Sequence, residues 1–191
     1  MAKLDNNIEF YNTSSIIKSP TIGCKIPKCM VVSGDIVSCE SIVVEGRVDG
    51  DIISVKKVII KKGAVVNGMI KAKEVRVEGS LKGPIEADII EISKDGKSEG
   101  YLIGNKIAIS GKSDGDILSK ETLFIDKGAY VNSLEIKSKV TKVLGRVKGF
   151  VESTEVLEVL DDGVVDGDVK TKDLLNYGNG KVFGKIYRYV G

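Results

Sequence analysis

The side chains that most often do chemistry are scarce in this chain, and histidine is missing altogether. Without an imidazole there can be no Ser/His or Cys/His nucleophile pair and no histidine-bound zinc. Three cysteines, Cys24, Cys29 and Cys39, crowd near the N-terminus. They fall short of the four ligands of a structural zinc site and read as reduced thiols of a cytoplasmic protein. Gly111-Lys112-Ser113 has the look of a phosphate loop, but Lys106 and Ile107 stand where the loop's first glycine would lie. The paired carboxylates Asp114/Asp116 and Asp166/Asp168 fall at equivalent points of a repeat, which points to turn chemistry rather than acid–base work. The expectation is therefore no catalytic residue, no metal, no cofactor and no enzyme.

Charge and hydropathy narrow the classes further. Basic and acidic residues number 29 and 27, for a net +2, and they are interspersed. Nucleic acid as a main partner would call for a basic excess or stripe, so none is expected. No apolar run approaches the ~20 residues that span a bilayer, and no secretory leader opens the chain. A cytoplasmic location follows as the expectation. Glycine is frequent (22), proline rare (3), and the apolar content is mostly Val and Ile, which suit pleated strands.

The elements that must position these residues are short and repeated. Apolar pairs flanking one residue recur as Ile42/Val44, Val58/Ile60, Val75/Val77, Ile90/Ile92, Ile107/Ile109, Leu123/Ile125, then Val143, then Leu157/Val159. Their second members lie 16, 17, 15, 17, 16, 18 and 16 residues apart. A Gly-x-apolar column follows each turn, from Gly34-Asp35-Ile36 to Gly184-Lys185-Ile186, with Gly100 and Ser133 in the two irregular places. A third column reads Val48, Val65, Leu81, Val131, Val147, Val164 and Val182. Three inward columns per repeat describe a coil with three short faces, its corners supplied by glycines that bend sharply at little cost. The segments are too short for a sandwich and lack helical spacing. The fold class expected is all-β: a parallel β-helix, or solenoid, of about ten short three-faced coils.

In that register the outward middle residues run Val43, Ile59, Arg76, Glu91, Ala108, Phe124, Lys142 and Glu158. Arg76 should meet Glu91 on the next rung, and Lys142 should meet Glu158. Val43, Ile59 and Phe124 are candidates either for a lateral contact or for cover by the N-terminal segment. Residues 1–28 do not fit the coil and are expected to form a flexible arm, with residues 29–191 as the β-helix. The arm carries scattered apolar residues, so membrane association through it is one reading. The last coil is apolar and aromatic where repeat arrays normally carry polar caps. Phe183, Ile186, Tyr187 and Tyr189 at that end, and Val31, Val32 and Ile36 at the other, are the candidate end-to-end polymer contacts.

The blocks "VVEGRVDGDI", "VIIKKGAVVNGMI", "VRVEGSLKGPI" and "LFIDKGAYVNSLEI" resemble those of the bactofilins, bacterial cytoskeletal proteins, over roughly Val31 to Tyr187. The resemblance implies a right-handed triangular β-helix that polymerises without nucleotide through its ends. It also implies a scaffold role in cell shape or in positioning cell-wall enzymes, at or near the inner face of the membrane, with the protein itself and other cytoskeletal proteins as partners. It brings no catalytic residue. Family members often have fewer coils than the ten counted here, and longer tails.

Two other classes compete. "GAVVNG" is similar to segments of the left-handed hexapeptide-repeat acyltransferases and carbonic anhydrases, but those keep close to 18 residues per coil and depend on histidine. A non-polymerising rod that binds a protein partner along its faces is the other.

Overall fold

Val- and Ile-rich segments of three to five residues, each closed by a glycine or an acidic turn, leave the chain one way to bury its aliphatic side chains: wind, and stack each segment on its equivalent one turn earlier. The computed structural model describes residues 22–189, and over them the chain does this throughout. All 21 strands belong to one sheet, every pairing among them is parallel, and no helix occurs among the described residues. The pairings wind into ten rungs of three faces each.

In chain order the first face opens with Ile22–Ile26 and continues with Ser41–Val44 and Lys57–Ile60 above it. The second face begins with Val31–Ser33 under Arg47–Asp49, and the third with Ile36–Ser38 under Ile52–Ser54. Higher up, the third and first faces join into single bent strands such as Ile70–Val77, Ile85–Ile92 and Leu102–Ile109. The ladder ends at Lys181–Phe183 on the second face and Ile186–Arg188 on the third. It opens seven residues before the expected boundary at 29, because Ile22–Ile26 already pairs in parallel with Ser41–Val44. The rest of the expected arm, residues 1–21, lies outside the described residues.

The core is a set of aliphatic columns. On the first face Ile42, Val58, Val75, Ile90, Ile107, Leu123, Thr141 and Leu157 stack, all buried, with Thr141 the polar member. On the third face Ile52, Ile70, Ile85, Leu102, Ile117, Ile136, Val151 and Val169 do the same. The second-face column runs through Val48, Val66, Leu81, Val131, Val147 and Val165. Val66 and Val165 replace the expected Val65 and Val164, which turn half outward. In a Val-Val pair either residue could point in, and a one-residue slip flips every side chain.

A fourth inward column, of small residues, sits where the third face bends into the first. It includes Ser54, Ala87, Gly104, Ser119, Ser138, Ser153 and Thr171. Their hydroxyls satisfy the groups that a sharp bend leaves exposed: Ser54 donates to the Glu40 carbonyl at 2.8 Å, and Ser119 reaches the carbonyls of Asn105 and Thr122 at 2.9 Å.

The corner between the second and third faces explains the recurring Gly-Asp pairs. Gly83 has φ +142°, and a Cβ there would lie 2.2 Å from the Gly68 carbonyl oxygen on the rung below. Only glycine fits both conditions. Where an aspartate follows the corner glycine, as after Gly34, Gly50 and Gly167, it accepts a backbone N–H from the next rung: Asp35 from Asp51, Asp51 from Met69, Asp168 from Lys185, at 2.7–2.9 Å. The carboxylates at these corners thus hold rungs together.

Candidate assembly interface

Stacking turns satisfies every interior rung from both sides and leaves the terminal rungs half-satisfied. Within the described residues Val31–Ser33 and Ile36–Ser38 each pair only with the strand above, and Lys181–Phe183 and Ile186–Arg188 only with the strand below. Such edges offer N–H and C=O groups to another strand. The core columns surface at the same places. Ile186 ends the column that contains Val169; Val169 is fully buried, whereas Ile186 is 51 % exposed. Val182 and Leu174 at this end, and Val32, Ile36 and Cys24 at the other, are only partly buried against the core. Phe183, 57 % exposed, Tyr187 and Val31 form an apolar rim beside these openings.

Six of the seven end candidates therefore gather at the two ends of the rod. Tyr189 behaves differently. Its hydroxyl donates to Glu152 and its ring lies 4.4 Å from the Lys170 Nζ, so it folds back along the side of the rod. Lys170 also pairs with Glu152 at 2.8 Å, and these two contacts hold the Glu152 carboxyl below its ordinary range, the Lys170 hydrogen bond first.

Along the first face the charged positions lie as their spacing predicts. Arg76 meets Glu91 at 2.7 Å and Lys142 meets Glu158 at 2.9 Å, each between adjacent rungs. The apolar positions there are less open than a lateral contact requires: Val43 is 5 % exposed, and Ile59 and Phe124 are half-buried. Sequence reasoning missed a more exposed set on the third face. Its outward middle residues read, from the first rung, Val37 and Ile53, then Lys71 and Glu86, then Ile103 and Leu118, then Lys137 and Glu152, and finally Lys170 and Tyr187. The five apolar members are all exposed. The signal that would have found them is the residue after each Gly-x-apolar column. Lys71 pairs with Glu86 at 3.0 Å, and Lys137 with Glu152 at 4.0 Å.

Nothing among the described residues gathers into a reactive cluster. No group of three or more Cys, Asp or Glu converges there on a point that could hold a metal ion. Ser113 of the Gly-Lys-Ser triplet is buried within the strand Lys112–Asp114. No helix there is long and apolar enough to cross a membrane.

A family model, Bactofilin, described as polymer-forming cytoskeletal, matches the chain twice, over residues 24–110 and 101–187. The chain belongs to the bactofilin family. Between them the matches take in nearly the whole ladder, so in this bactofilin both matched stretches share one uninterrupted core. No curated protein and no solved structure matches the chain. Membership makes this bactofilin a cytoskeletal scaffold of a self-associating family.

Proposed function

We propose that this bactofilin assembles without nucleotide into filaments by stacking the ends of its rods. The filaments would serve as a scaffold for cell shape or for envelope enzymes, in the cytoplasm or at the inner face of the membrane. The protein takes no cofactor and carries out no reaction. One observation carries this reading: the aliphatic core reaches the last described rung uncovered, in the contrast between exposed Ile186 and buried Val169. Another copy placed on such an end continues both the hydrogen-bond ladder and the apolar columns. No energy source is needed, since burial of apolar surface drives the contact.

The test is electron microscopy and pelleting of the full chain with and without nucleotide. Burying one large apolar side chain contributes about 1.5–3 kcal/mol, so Phe183→Arg and Ile186→Asp should each raise the critical concentration about ten- to a hundredfold. Circular dichroism checks that the β signal persists. Wild-type protein that stays as discrete particles over a range of salt and concentration would sink the proposal. Filaments indifferent to both substitutions would sink the assignment of the contact to this end.

A further inference from the structure

We infer that the third face is a self-complementary contact by which two rods pair side by side, antiparallel, about a two-fold axis between the fifth and sixth rungs. In such a pair rung 1 faces rung 10 of the second copy, rung 2 faces rung 9, and so on. A two-fold contact needs each residue to suit its opposite number, because both encounters occur twice. The outward column meets this need. At the axis Ile103, 38 % exposed, faces Leu118, 42 % exposed, and the reverse. One step out Glu86 faces Lys137, and the next step sets Lys71 against Glu152. At the rim Val37 faces Tyr187. Only Ile53 opposite Lys170 is unmatched, and there the lysine stem can lie on the isoleucine.

The charges form a checkerboard. Lys71 and Glu86 already pair within one copy, as do Lys137 and Glu152. The antiparallel neighbour adds an opposite charge across the contact to each of the four. Register is specific. Sliding one copy by a rung sets Lys71 against Lys137, and sliding it by two sets charges on Ile103 and Leu118. The next register that restores the match lies four rungs away and overlaps fewer rungs. A parallel flush arrangement sets every charge against its like.

The face is also large enough. Ten rungs at ~4.8 Å by one short strand of ~10 Å give roughly 500 Å² per copy, or about 1,000 Å² in all, at the lower limit for a specific interface. Rods joined end to end would repeat the contact along a filament and strengthen it by multivalency. The second copy is favoured here over the first face because the apolar positions there, Val43, Ile59 and Phe124, are covered or half-buried, whereas those of the third face are exposed.

The test exchanges charges. Variant A is Lys71→Glu with Glu86→Lys, variant B is Lys137→Glu with Glu152→Lys, and the control is Arg76→Glu with Glu91→Arg on the first face. Variant A keeps its Lys71–Glu86 pair in reversed order, whereas variant B reverses Lys137–Glu152 but gives up the contacts of Glu152 to Lys170 and Tyr189 and of Lys137 to Glu135. Wild type and the control should give filaments two rods wide by electron microscopy. Variants A and B alone should give filaments one rod wide, because each sets like charges across the axis. An equimolar mixture of A and B should restore the double width, since every contact between an A and a B chain is again of opposite sign. The mixture keeps the loss inside variant B and restores only the charges across the contact, so it isolates the contact between copies. Single-width wild-type filaments, double-width filaments of variant A, or a mixture that stays single would overturn the inference. A control that separates would reassign the contact to the first face. If rods do not stack end to end, sedimentation reads the same set as dimers and monomers, so failure of end stacking and failure of lateral pairing give different results.

Discussion

Two buried serines show how closely the core is tuned. Ser98 and Ser113 occupy adjacent places in the second-face column, between Leu81 and Val131, and both are buried. Neither hydroxyl has a hydrogen-bond partner, and an unsatisfied buried donor costs about 1–3 kcal/mol. Ser98→Val and Ser113→Val should therefore each raise the free energy of unfolding by about 1 kcal/mol, read by denaturant titration. Asp116 is the opposite case. Its carboxylate accepts from the backbone of Glu135 and Leu134 and from the Ser133 hydroxyl at 2.9–3.1 Å, and these bonds, the Glu135 one first, hold its pKa below the usual carboxylate range. A depressed folded pKa stabilises above the unfolded value of about 4, and that contribution disappears as pH falls through the folded value. Asp116→Asn should cost about 1 kcal/mol at pH 7, where the group is partly exposed, and progressively less as the pH is lowered below about 4. Equal losses at both pH values would show that geometry rather than charge holds this corner.

At the scale of the strand, the spacing of apolar residues made the winding legible before any coordinates, since burial admits only aliphatic side chains at fixed intervals. What spacing could not decide was direction at Val65-Val66 and Val164-Val165, where both residues satisfy the pattern. It also could not give exposure: Val43 has the same outward place in its strand as Ile59, yet is covered. The third-face column was within reach of the same counting, but charged and apolar members alternate along it, so it carries no signature of a patch until the rungs are laid side by side. Corners were the most legible elements, because each glycine answers a physical demand. Gly83→Ala would push a methyl against the Gly68 carbonyl and force φ +142° on a residue with a side chain. Destabilisation of at least about 3 kcal/mol is expected, measured by thermal unfolding. A small effect would mean the rungs can separate locally by that distance.

For the whole molecule, the features that matter are the two terminal rungs, open among the described residues, and one unusually complementary side. In the proposed assembly, end stacking would extend the rod and lateral pairing would thicken it, and the residues that carry the two lie apart except at Tyr187, which borders both surfaces. The exchanges at Lys71, Glu86, Lys137 and Glu152 therefore separate thickness from length, and Phe183→Arg separates length from thickness. The candidate ends were legible because the last described turn, rich in Phe and Tyr, departs from the polar caps that repeat arrays need. The side was not, because complementarity under a two-fold axis is a property of ten rungs taken together and of no single turn.

The rungs, 15 to 19 residues from one third-face strand to the next, share one continuous column of aliphatic side chains on that face and, among the described residues, have no closing element. Such a winding has no obligatory number of turns, unlike a barrel, whose circumference sets its strand count. Whole turns can be gained or lost by duplication or deletion with the cross-section unchanged. The double family match fits a history in which this protein grew that way.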